Sequence, residues 1–206
     1  MRDATLLPEL ISLAADRDSA APALTYGNMT LNYGELQDAV TSFSSGLLSL
    51  GIQRGERVAI YLEKRFEAVI ASFGAPAAGG VFVPLNPLLK AEQVAYILRD
   101  CNVRVLVTSP ERLALLTDAL TQCHDLRHVV VMDSPEPLPL AGPLSYFRWS
   151  ALLGQPAQPG HRVIDTDVVG ILYTSGSTGK PKGVVLSHRN MVAGAKSVAS
   201  YLENHP

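Results

Sequence analysis

Four short, almost wholly apolar runs recur between amphipathic stretches, and they leave this chain few folds to choose from. They are Arg57–Leu62 (RVAIYL), Val81–Leu85 (VFVPL), Val103–Thr108 (VRVLVT) and His128–Met132 (HVVVM). Runs this short, rich in valine and lacking polar alternation, read as strands covered on both faces. Helical segments lie between them, at Lys64 to about Ala78, Ala91–Cys101, and from Ser109-Pro110 to near Cys123. Ser109 fits an N-cap and Pro110 the first helical position. Strands alternating with helices predict βαβ units, hence an α/β fold with a mainly parallel sheet flanked by helices.

The flanks follow the same logic. Leu6–Arg17 carries an i, i+3/i+4 apolar stripe and predicts an amphipathic helix. Ala23–Tyr26, Gly27-Asn28 and Met29–Asn32 read as a hairpin. Tyr33–Leu50 reads as a helix with Gly51 at C′. Pro76 sits inside the third predicted helix, which must end near Ala75 or kink there. Residues 134–160 hold six prolines and read as a surface excursion, with a short helix around Tyr146–Leu153 and Trp149 packed on the core. Val168–Thr174 resumes the sheet, and Ser187 caps a last helix, Arg189–Glu203.

Composition narrows the function classes. Of 206 residues, 47% are hydrophobic and 17% charged, with a net charge of −2 and both signs interspersed. Such a chain can bury a core, and it lacks the basic footprint of a nucleic-acid binder. Cys101 and Cys123 are too far apart for a CxxC motif, and Cys123-His124 has no partner cluster, so buried free thiols are expected and no metal site. The N-terminus lacks a signal peptide's apolar region. Ala68–Leu89 carries no charge over 22 residues, but glycines and prolines interrupt it. It reads as helix, turn and buried strand, so no transmembrane segment is expected and the location expected is cytoplasmic.

Residues 173–184 read YTSGSTGKPKGV. Glycine lets backbone N–H groups approach an anion closely, and successive N–H groups form a concave nest. Thr174, Ser175, Ser177 and Thr178 add hydroxyl donors, and Lys180 and Lys182 add positive charge. The set suits a polyphosphate, although segments of this composition are commonly plain solvated turns. The P-loop of NTPases is excluded. Its Gly-Lys must be followed by Ser or Thr, whereas Pro181 follows Gly179-Lys180, and Thr174 stands where its first glycine belongs.

The whole string resembles the phosphate-binding signature of the AMP-forming acyl- and aryl-CoA synthetases, within the adenylate-forming superfamily. Further segments resemble family elements of scaffold type. These are Leu31–Leu36 (LNYGEL), Gly55–Ile60 (GERVAI) and Ala77–Pro87 (AAGGVFVPLNP), in which Asn86 is read as a turn residue. The runs from Val81 to Ser109 and from Ser187 to Asn204 resemble the exosortase-associated acyl-CoA ligases. The resemblance implies that Thr174, Ser175, Gly176, Ser177, Thr178, Gly179 and Lys182 bind the β- and γ-phosphates of ATP, with a weaker role for Lys180. It implies ATP, Mg²⁺ and CoA as cofactors, and a carboxylic acid as substrate. That acid is activated to an acyl-adenylate and passed to CoA or to an acyl carrier protein.

By the same resemblance, residues 1–206 are the N-terminal portion of the AMP-binding domain. The catalytic residues, the metal ligand and the C-terminal lid domain are expected downstream. The chain alone is therefore expected not to catalyse adenylation. Two other readings stand beside the acyl-CoA ligase: an amino-acid adenylation domain loading a carrier protein, and a non-catalytic remnant or interaction module. His188 is expected to pack or bond locally, and Glu63-Lys64-Arg65 to form a solvated turn.

Overall fold

The computed structural model describes residues 3–135, 143–174 and 180–202. In chain order they form α1 (Glu9–Arg17), β1 (Pro22–Tyr26), β2 (Met29–Asn32), α2 (Tyr33–Ser49), β3 (Arg57–Tyr61), α3 (Phe66–Ala77), β4 (Val81–Pro84) and α4 (Ala91–Asp100). There follow β5 (Val103–Thr108), α5 (Pro110–Leu120), β6 (His128–Val131), β7 (Ser145–Arg148), α6 (Trp149–Leu153), β8 (Val168–Thr174), β9 (Lys182–Ser187) and α7 (His188–Tyr201). β1 and β2 pair as a separate hairpin, and the other strands form one sheet in the order β7-β6-β5-β3-β4-β8-β9. β3 to β8 run parallel, and only β9 opposes its neighbour. The α/β architecture expected from the apolar runs is the one found.

Local chemistry sets the helix ends. Asn32 and Glu35 form a reciprocal capping box at the start of α2, each side chain accepting from the other residue's N–H at 2.8 and 2.9 Å. This satisfies two orphan donors and gives the LNYGEL segment its physical reason. α3 runs through Pro76 to Ala77 instead of ending at Ala75. Its exit is a Schellman motif, in which Gly80 N–H donates to Ala75 O and Gly79 N–H to Pro76 O. Gly79 adopts the left-handed conformation this requires, with φ of 89°. α5 starts at Pro110 as expected, but Ser109 makes no side-chain capping bond, and the helix stops at Leu120, short of Cys123.

Two apolar layers cover the sheet. On one face Val40, Phe43, Leu47, Ile70 and Ala75 of α2 and α3 pack on Val58, Ile60, Val105 and Val107. On the other, Val94, Ile97, Leu113 and Leu116 of α4 and α5 pack on Ala59, Val83, Leu106 and Val129. Strands covered twice explain the continuous apolar runs. Among the described residues, no helix is long and apolar enough to cross a membrane.

The proline-rich stretch differs from a simple excursion. Ser145–Arg148 pairs in parallel with β6, in register from His128 opposite Ser145 to Val131 opposite Arg148, and extends the sheet by an edge strand. Its pairing partner, not its own pattern, makes it a strand. α6 then lies on α2, and Trp149 is buried with its ring stacked on Phe43 at 4.6 Å and 20°. The connection to β8 crosses back over α2 and α3. Gln158 N–H donates to Ser45 Oγ at 3.1 Å, and a Cβ on Gly160 would lie 2.0 Å from Ala77 O.

Because Trp149 fills the gap between α6 and α2, Trp149→Ala should lower unfolding free energy by about 3–5 kcal/mol. Urea denaturation followed by far-UV circular dichroism checks this.

Candidate functional site

All parallel strands deliver their carboxyl ends to one edge of the sheet, where open α/β folds place ligands. β8 ends at that edge with Thr174. β9 returns antiparallel, with Leu172 opposite Val184, Tyr173 opposite Gly183 and Thr174 opposite Lys182. The ladder therefore brings together Thr174 and Lys182 at the mouth of a hairpin. Ser175, Gly176, Ser177, Thr178 and Gly179, the remaining predicted phosphate ligands, lie outside the described residues. Thr174, Lys180 and Lys182 are exposed. Among the described residues, neither lysine side chain has an ion-pair or hydrogen-bond partner.

The stem is built tightly. A Cβ on Gly183 would lie 2.8 Å from Ile171 Cγ2 and 3.2 Å from Tyr173 Cζ, so the Tyr173 ring crosses β9 where only glycine leaves room. The Tyr173 hydroxyl donates to Asp100 Oδ2 at 2.5 Å. Burial and this bond push the phenol's pKa well above its ordinary range. After β9, Ser187 caps α7 by accepting from Asn190 N–H at 3.2 Å, while Asn190 Oδ1 accepts from Ser187 N–H at 3.0 Å.

His188 packs, as expected, but its hydrogen bond is not local. It is 1% exposed, and its Nδ1 accepts from Leu7 N–H at 3.0 Å, a partner 181 residues away. An accepting Nδ1 requires the neutral ring with its proton on Nε2. Burial depresses the imidazole pKa, against the opposing pull of Asp167, Glu9 and Asp165. No local sequence pattern signals this contact.

Other candidates resolve as structural. Glu63 is bonded to Arg112, whose guanidinium also donates to Pro87 O at 2.6 Å and lies 4.7 Å from the Tyr61 ring centre. Arg65 pairs with Glu67 at 2.6 Å. The Glu63-Lys64-Arg65 turn is thus a salt-bridged corner rather than a merely solvated one. Asn86 Oδ1 accepts from Leu88 N–H at 2.9 Å, the Asx turn expected of it. Cys101 and Cys123 are buried free thiols whose pKa values burial raises. Among the described residues, no cluster of His, Cys, Asp and Glu could hold a metal ion.

A family model described as AMP-binding enzyme matches residues 12–205. Over 160 residues the chain is 35% identical to a long-chain-fatty-acid–CoA ligase of Thermus thermophilus, covering 78% of this chain and 28% of that one. Over 187 residues it is 37% identical to phosphinothricin tripeptide synthetase PhsB of Streptomyces viridochromogenes, covering 90% of this chain and 14% of that one. The crystal structure of the anthranilate CoA ligase AuaEII in complex with anthranoyl-AMP matches with a TM-score of 0.82 and 26% identity, over 89% of this chain and 35% of that chain. The chain thus spans a minor part of the length of each of these relatives.

His188 generates a pH prediction. Its folded pKa is depressed, so the unfolded chain binds the proton first. Its stabilising contribution is complete above the unfolded value of about 6.5 and is lost as pH falls through the folded value. Unfolding free energy should fall below pH 6.5, with this residue adding a slope of at most about 1.4 kcal/mol per pH unit. The slope should shrink in His188→Gln, leaving what half-buried His128, also depressed by burial, and carboxyls such as Glu63 and Asp125 supply. Urea midpoints measured between pH 5 and 8 check it.

Proposed function

The chain belongs to the AMP-binding enzyme family, and on that premise we propose that its β8–β9 hairpin holds the β- and γ-phosphates of ATP for an AMP-forming acid–thiol ligase. The observation that supports this most is the placement of Thr174 and Lys182 as the last pair of the ladder, closing a Ser-Gly-Ser-Thr-Gly segment at the sheet's carboxyl edge. A carboxylate attacks the α-phosphorus of ATP, forming an acyl-adenylate as the bond to pyrophosphate breaks. A thiol then attacks the acyl carbon and AMP leaves. The first step brings an anion against a polyanion. Fixed cations and N–H donors on the departing pyrophosphate lower that barrier, because their dipoles are oriented in advance.

In this reading Lys182 supplies countercharge to the outer phosphates. Thr174 donates a hydroxyl, and residues 175–179 supply N–H and hydroxyl donors. Lys180 contributes a weaker field. The described residues offer no carboxylate cluster for the Mg²⁺ of the reaction, and no role in holding it is assigned to them. The acid is proposed to be a fatty or other acyl acid and the acceptor CoA, a reading supported by similarity to the Thermus ligase. The comparable similarity to a peptide synthetase supports the second reading, in which an amino acid is activated and loaded onto a carrier protein. A cytoplasmic location fits both, as do two free buried thiols.

Charge-assisted bonds to phosphate are the strong ones. Lys182→Ala should therefore weaken tripolyphosphate binding about tenfold or more, and Lys180→Ala by less. Isothermal titration calorimetry reads both, and unchanged affinity in Lys182→Ala would refute the assignment. ATP–pyrophosphate exchange with fatty acids and amino acids in parallel separates the two acid classes.

A further inference from the structure

We propose that Tyr173 is a positioning residue, whose hydroxyl, held by Asp100 of α4, fixes the stem from which the 175–179 segment springs. This rests on the reading of the hairpin as a phosphate holder. Tyr173 and Asp100 are 73 residues apart, and their 2.5 Å bond joins the end of β8 to a helix packed on the sheet's other strands. It acts one residue before the last pair of the ladder, Thr174 opposite Lys182.

Asp100 has no reason of its own to be where it is. It is the last residue of α4, where the negative end of the helix dipole disfavours a carboxylate. Two phenols offset that. Tyr173 donates to Oδ2, and Tyr96 reaches Oδ1 at a weaker 3.4 Å. Phenylalanine at position 173 would fill the space over Gly183 equally well, so the ring accounts for packing and only the hydroxyl accounts for the tether. The bond lies at the surface, beside the buried Cys101 thiol. A stem fixed in advance spares the ligand the cost of ordering it, and binding tightens accordingly.

The test compares the wild-type chain with Tyr173→Phe, Asp100→Asn, the double variant and Tyr96→Phe. Amide hydrogen exchange is measured at residues 172–174 and 182–184, and tripolyphosphate affinity by calorimetry. In Tyr173→Phe and in Asp100→Asn the stem amides should exchange about tenfold faster, and affinity should fall roughly three- to tenfold, with the urea midpoint little changed. The double variant should add nothing further, because both changes remove one bond. Tyr96→Phe should behave as wild type. Unchanged stem exchange, or a loosened stem with full affinity, would overturn the tether while leaving the phosphate reading intact. A wild-type chain that binds no tripolyphosphate would overturn the phosphate reading itself, and the positioning role with it.

Discussion

The hairpin depends on β8 finding its place beside β4. That joint is narrow, with Phe82 opposite Gly170 as its register pair. The Phe82 ring lies across the glycine, where a Cβ would come within 2.8 Å of its Cε1. A large ring seated on an absent side chain specifies one strand neighbour and one register. To reach it the chain must leave β7 at the far edge of the sheet and cross nearly its whole width. The crossing is stitched down on the way. His161 N–H donates to Ala78 O at 3.2 Å, and Arg54 grips Asp167 through two nitrogens at 2.7–3.1 Å just before β8 begins. Packing of the crossover on α2 and α3 thus comes before everything that happens at the hairpin.

The charges divide into two kinds. Arginines close loops. Arg104 bridges Glu56 at 3.0 Å and Asp125, Arg112 ties Glu63 to the turn at Pro87, and Arg189 holds Asp165 at 2.9 Å. Hydrogen bonds from Asn102 and Arg104 hold the Asp125 carboxyl below its ordinary range, as Arg112 does for Glu63. Exposed pairs of this sort add little stability each, and their effect is to fix where each loop turns. Lys180 and Lys182 are different, exposed and without a partner among the described residues. In a chain of net charge −2, two such lysines near one hairpin mouth give a local positive field.

Much of this was legible in the sequence. Strands buried on both faces must be continuously apolar, so β3 to β6 could be read directly. Caps such as Asn32-x-x-Glu35 and the C′ glycine after α2 are encoded within a few residues, and Trp149, the one tryptophan, had to be buried somewhere. What was not legible depends on residues distant in sequence. Ser145–Arg148 has no strand signature of its own and becomes one because β6 offers it an open edge. Pro76 is tolerated in α3 because it falls in the last turn, where a Schellman exit satisfies the carbonyls. His188 and Leu7, and Tyr173 and Asp100, meet only in the fold. Of the candidate site, Thr174 and Lys182 stand opposite each other in the β8–β9 ladder, while the five residues between Thr174 and Lys180 fall outside the described part.

The two distant contacts share a logic. One holds the β8 arm of the hairpin, through the Tyr173 hydroxyl, to α4 on one face of the sheet. The other holds the root of α7, directly after the β9 arm, through neutral His188 to Leu7, whose side chain belongs to the core of the opposite face. A two-stranded ribbon is marginal by itself, and one at a sheet edge has a single neighbour to steady it. Anchoring each arm to a different layer removes the twisting freedom that edge position would leave. On the proposed reading, a phosphate-holding loop gains most from a stem that does not move, because ordering it in advance spares the ligand that cost. The two strands of the ribbon are neighbours in sequence, but the contacts that steady them come from Asp100 and Leu7.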